Sequence, residues 1–137
     1  KVSQLIFSQQ FYQSSTSMCL YNPDGIIAKA NPKFCEMFGV EEEDIVKSTY
    51  NIFQDQAIKD GRVIPHLEKL FNEKKSVCWK VFFDLDVSSS STGTRTEKSG
   101  KLELEVFGYP ILDDRKNLLF VVLQHYDITN RNQADED

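Results

Sequence analysis

The second half of the chain alternates between apolar and polar side chains. From Val77 to Val87, the residues Val77, Trp79, Val81, Phe83 and Leu85 fall on one side of an extended backbone, while Lys80, Asp84 and Asp86 mark the other. Successive side chains of a strand point to opposite faces, so this is a half-buried β-strand. Leu102, Leu104 and Val106 alternate in the same way with Lys101, Glu103 and Glu105. A third run, Leu118 to Ile128, follows a turn at Asp113-Asp114 and is almost continuously apolar, which predicts a strand covered on both faces. Such strands joined by hairpin-scale connections predict an antiparallel sheet and argue against a doubly wound parallel fold. Ser88 to Gly100, rich in Ser, Thr and Gly, reads as an exposed loop insertion without chemistry.

The first half supplies helices and a hairpin. Val2, Leu5, Ile6 and Tyr12 lie near helical spacing, and the serines from Ser14 onward interrupt it. Met18 to Tyr21 and Ile26 to Ala30 bracket Asn22-Pro23-Asp24-Gly25, a turn sequence between two short strands. Asn31-Pro32 starts a helix, with Phe34, Met37 and Phe38 on one face and Gly39 as its stop. Glu41 to Lys47 places its acids early and its lysine late, which suits a short solvated helix. Val63, Ile64, Leu67, Leu70 and Phe71 mark another amphipathic helix, with Pro65 tolerated in its first turn. The order predicts an α+β fold around one central sheet.

Charge and composition then exclude several functions. The 137 residues carry a net charge of −5, which offers no electrostatic grip on nucleic acid or anionic lipid. Cys19, Cys35 and Cys78 are too few for a disulfide framework and read as free thiols in a reducing compartment; Cys35 and Cys78 are expected to be small buried apolar side chains. No apolar run approaches the roughly 20 residues that cross a bilayer. The start at Lys1, without methionine or a signal-peptide pattern, leads us to expect a fragment of a longer cytoplasmic protein that could itself be membrane-anchored.

Two motifs carry a family resemblance. Asn22 to Ile27, followed by Ala30-Asn31-Pro32-Lys33-Phe34 and Phe38-Gly39, resembles the PAS-domain pattern that opens the first helix. Tyr126-Asp127-Ile128-Thr129-Asn130-Arg131 resembles the Asp-Ile-Thr-x-Arg signature that ends such domains, and Tyr50 to Asp55 with Gly61 also looks like PAS input domains of sensor kinases. The resemblance implies a PAS fold: a five-stranded antiparallel sheet with short helices enclosing one face and an N-terminal helix on the other. It divides the chain into a flanking helix (1–16), the domain (17–129) and the start of a C-terminal signalling linker (130–137). It implies a non-catalytic sensory domain that binds a small ligand between sheet and helices and relays its state to an effector domain of the same chain, of the histidine-kinase, two-component type. The alternative is a ligand-free dimerisation or protein-interaction module. The residues agree on the lack of catalysis, since the sequence has no Gly-rich phosphate loop, Cys-x-x-Cys, His-Glu-x-x-His or nucleophile elbow.

Candidate pocket residues follow from strand register and the resemblance together. Trp79, Phe83, Leu104, Val106, Val121 and Leu123 are expected to line the inner face, where core packing alone would also explain them. His125 shares that face, at the position where the resemblance implies a chromophore-bonding glutamine in light-sensing relatives; an imidazole there could bind a ligand or simply bond within the core. His66 lies on the helix that gives haem-binding relatives their axial ligand, but its surroundings lack their pattern and it could face solvent. Flavin photochemistry is disfavoured, because Gln54 to Gly61 lacks the required cysteine. No metal site or certain cofactor is expected, and the occupant is left as an unidentified small molecule. Leu5, Ile6, Phe82, Phe107, Phe120, Val122 and Tyr126 are expected to form an outer apolar face, covered by the N-terminal helix and by a second subunit of a homodimer.

Overall fold

The computed structural model describes residues 2–129, with side chains from Gln4 onward. Helix α1 (Val2–Gln13) leads into β1 (Ser17–Tyr21) and β2 (Ile27–Ala30). Then come α2 (Pro32–Phe38), α3 (Glu42–Lys47), a 3-10 turn (Ile52–Gln54), α4 (Gln56–Asp60) and α5 (Ile64–Phe71). The chain closes with β3 (Val77–Asp84), α6 (Leu85–Thr92), β4 (Lys101–Leu112) and β5 (Leu118–Asp127). The strands form one antiparallel sheet in the order β2-β1-β5-β4-β3. The linker expected over 130–137 lies outside the described residues.

Capping residues read from the sequence do the work expected of them. Asn31 Oδ1 accepts from Phe34 N at 2.9 Å, Pro32 occupies the first turn of α2, and Gly39 ends it in the left-handed region at φ 68°. Asn31 also accepts from Met18 N and donates through Nδ2 to the carbonyls of Phe11 and Thr16. One fully buried amide therefore ties α1, β1 and α2 together. Tyr12 donates to Glu42 at 2.8 Å, which anchors the end of α1 to α3.

Register places the pocket. Ser17, His125, Val106 and Trp79 form one row across β1, β5, β4 and β3 on the inner face. The next row passes through Gly108, where an added Cβ would sit 2.7 Å from Leu70 and 2.8 Å from Leu123. A side chain there would force the Leu70 and Leu123 side chains to give way. The closing motif has a structural job too. Ile128 N donates to Glu103 O at 2.9 Å, Glu103 N donates to Thr129 Oγ1 at 3.1 Å, and Asp127 Oδ1 accepts from Thr129 N at 3.0 Å. The end of β5 is thereby pinned to the start of β4.

Three expectations need correction. The alternation through Leu85 predicted strand to Val87, but β3 stops at Asp84, whose carboxylate caps a helix by accepting from Asp86 N and Val87 N. The supposed exposed loop therefore begins inside α6. Cys78 is exposed rather than buried, because its register puts it on the outer face beside Phe107. Strand β5 is not covered on both faces: Val121, Val122 and Leu123 are buried, whereas Leu119, Phe120 and Tyr126 are exposed. No described helix is long and apolar enough to cross a membrane.

Candidate functional site

A cavity of about 60 Å³ lies between the inner face of the sheet and the helices. Trp79, Val81 and Phe83 of β3, Leu104 and Val106 of β4, and Leu123 and His125 of β5 form its floor. Phe34, Phe38, Ile45, Tyr50 and Ile58 close it from the helical side. Of the expected pocket residues, Trp79, Phe83, Leu104, Val106, Leu123 and His125 therefore meet at one cavity. Val121 is fully buried on the same face but does not line it, and neither does His66, whose ring stacks on Trp79 at 5.4 Å.

His125 is a buried residue held by aromatic edges and one weak polar contact. Phe34 and Phe38 approach its ring edge-on at 5.5 and 5.2 Å, and Ser17 Oγ lies 3.4 Å from Nδ1. Burial pushes the imidazole down to about 4, with the Ser17 backbone opposing. The ring is therefore neutral at physiological pH.

The sequence reading missed the far wall. Ser88, Ser89, Thr94 and Thr96, all within the stretch read as inert, line the cavity together with Leu85. They are held there by a buried carboxylate: Asp55 is fully buried and accepts from the Tyr50 hydroxyl, from Ser88 Oγ at 2.6 Å and from Ala57 N at 2.9 Å. Burial and the neighbouring Asp55 push the Tyr50 phenol well above its usual range, so it stays a neutral donor. The rest of the segment is tied down by Thr96 Oγ1 donating to Phe38 O at 2.6 Å and Glu97 N donating to Gly39 O at 2.8 Å. Asp84 as a cap and Gly93 in the left-handed region at φ 73° are the local signals that could have revealed α6.

The lining does not fit either large chromophore. Pockets for drug-sized ligands run to about 300–1,000 Å³, far above this volume, no cysteine lines the cavity, and His66 stays outside it. Among the described residues no cluster of His, Cys, Asp and Glu could hold a metal ion.

The outer face differs in character. Phe82 is 66 % exposed, and Phe107, Phe120 and Tyr126 are also exposed, with Phe107 and Tyr126 in edge contact at 5.7 Å. Leu5 and Ile6 of α1 are exposed as well, but Val122, expected on this face, is buried and presents nothing outward.

Comparison with known proteins agrees with this geometry. A family model described as "PAS domain" matches residues 15–130. Among solved structures, an RNA-binding light-oxygen-voltage receptor superposes with a TM-score of 0.75 at 14% identity, over 97% of this chain and 35% of that one. This chain thus spans about a third of that receptor's length. A domain of a sensory box sensor histidine kinase/response regulator from Geobacter sulfurreducens gives 0.65 at 10% identity, over 91% and 94% of the two chains. The PAS domain of the fruit-fly ELK potassium channel gives 0.64 at 15% identity, over 92% and 97%. No curated protein matches the chain.

Proposed function

The chain belongs to the PAS domain family, and from that premise we propose that it is a sensory input domain that binds a small molecule in the cavity between sheet and helices. The observation that carries this reading is the cavity itself, a space that close-packed interiors do not normally leave. In this reading the module is non-catalytic and belongs to a cytoplasmic signalling protein of the two-component, histidine-kinase type. Occupancy alters the sheet floor, and β5 passes the change through the Ile128–Glu103 and Thr129–Glu103 bonds toward an effector beyond Thr129. A ligand achieves this only through the difference in its affinity for the two output states.

A second reading has its own observation. Exposed Phe82, Phe107, Phe120 and Tyr126 make an apolar surface of the kind soluble monomers rarely carry, which favours a homodimer through the outer face with Leu5 and Ile6 of α1 contributing. The two readings are compatible, and dimerisation without a ligand is the alternative to sensing. A thermal-shift screen against a metabolite library separates them: a compound that raises the melting temperature supports sensing, and a dimer with no responsive compound supports the alternative.

A further inference from the structure

Resting on the ligand-binding reading above, we propose that the cavity selects a small uncharged molecule carrying both a hydrogen-bond acceptor, received by the indole N–H of Trp79, and a donor, received by hydroxyl oxygens of the α6 wall. A primary carboxamide has this chemistry. Trp79 lines the cavity and is 6% exposed, and its Nε1 is buried without a hydrogen-bond partner among the described residues. A buried N–H left unpaired forfeits the hydrogen bond it made to water, so such groups occur where a ligand or water completes them.

Most hydroxyls that line the cavity have their protons committed elsewhere. Tyr50 and Ser88 each commit their one hydroxyl proton to Asp55. Ser89 donates to Thr94 O at 2.8 Å, and Thr96 to Phe38 O at 2.6 Å. Thr92 has one proton for Ser88 O at 2.8 Å and Thr94 Oγ1 at 2.9 Å, so it leaves the Thr94 proton unassigned. Four lining hydroxyls, Tyr50, Ser88, Ser89 and Thr96, can therefore offer a ligand lone pairs only. Trp79 supplies a donor, the α6 wall supplies acceptors, and a matching ligand presents the converse pair.

Charge is excluded by the same wall. No Lys, Arg, Asp or Glu lines the cavity, so neither an anion nor a cation would find a counter-charge to offset its desolvation. The Asp55 carboxylate behind Tyr50 and Ser88 already holds three donors. Size sets the scale: a 150 Å³ apolar cavity admits benzene, and about 60 Å³ admits only a few heavy atoms.

Acetamide, acetate and acetamidinium are near-isosteric probes that differ in charge, and xenon is an apolar control. Trp79 is the only tryptophan, so the 15N-labelled full chain gives one indole signal that reads the site directly. We expect acetamide to move that signal and the backbone amides of Leu104 and Leu123 saturably, while equal concentrations of either ion leave them in place. Trp79→Phe should weaken the acetamide response of Leu104 and Leu123 at least tenfold; if that variant does not fold, the comparison of acetamide with its charged analogues still decides. An ion binding as well as acetamide, or unchanged binding by folded Trp79→Phe, would overturn the inference. If xenon perturbs Leu104 and Leu123 and acetamide does not, the cavity reading stands and the polar assignment fails. If no probe perturbs the cavity amides, both fail.

Discussion

Ser88 Oγ donates to Asp55 Oδ2 at 2.6 Å, joining α6 to the start of α4 across 33 positions of sequence. Through this bond a serine-rich segment becomes a wall of the cavity. Ser88→Ala leaves the buried carboxylate one donor short, and we expect a loss of about 1–3 kcal/mol in urea unfolding. Asp55→Ala should cost more, since it also leaves the Tyr50 hydroxyl and Ala57 N unpaired. Equal losses for the two variants would show that Asp55 is not the shared anchor.

Asn31 makes a second test of long-range polar anchoring. Its side chain caps α2 and bonds Met18 N, Phe11 O and Thr16 O from a fully buried position. Asn31→Ala removes the cap and leaves Met18 N without its side-chain acceptor, so a loss of about 2–4 kcal/mol is expected. Limited proteolysis should then cut between α1 and β1 faster than in the unaltered chain. A loss below about 0.5 kcal/mol would place these bonds among surface-like contacts.

How far sequence reaches is visible in these two sites. The Asn31-Pro32 start, the Gly39 stop and the alternation of Val77 to Phe83 are local signals, and the structure realises each of them. Asp55 was legible only as part of a family-like segment, because its meaning depends on Ser88, which reaches it only in the folded chain. The strand face beyond Asp84 misled for a related reason. Leu85 continued the alternation, yet the Asp84 cap redirected the chain into a helix whose serines suggested a loop. Periodicity placed Trp79 and Leu104 on one face but could not tell a cavity wall from a packed core, since that depends on the volumes of all facing side chains.

His125 makes stability depend on pH. Its folded-state pKa of about 4 lies below the usual 6.5, so the unfolded chain binds the proton first as pH falls. The contribution is therefore fully present above about pH 6.5 and declines toward pH 4, reaching a loss of about 2 kcal/mol by pH 5. Urea midpoints at pH 7.5 and pH 5 should show this loss, and His125→Gln should remove most of it. A variant with an undiminished pH dependence would assign the effect to other groups.

The outer face predicts assembly. Light scattering at high concentration should give twice the 15.8 kDa chain mass, and Phe120→Glu or Phe107→Glu should shift the chain toward monomer, because each buries a charge in an apolar contact. Both positions are already exposed in the single chain, so the folded protomer should keep its circular dichroism spectrum. A monomeric mass for the unaltered chain would contradict dimerisation through this face.

Occupancy of the cavity should be felt at the end of β5. Hydrogen exchange on the full chain, with and without a compound found by thermal shift, tests it most directly. The prediction is altered exchange at the amides of Leu104, Val106 and Leu123 that extends to Ile128, whose N–H is bonded to Glu103 O. Protection that changes around the cavity while Ile128 stays the same would contradict the relay, and a library that yields no binding compound would contradict the sensory reading itself.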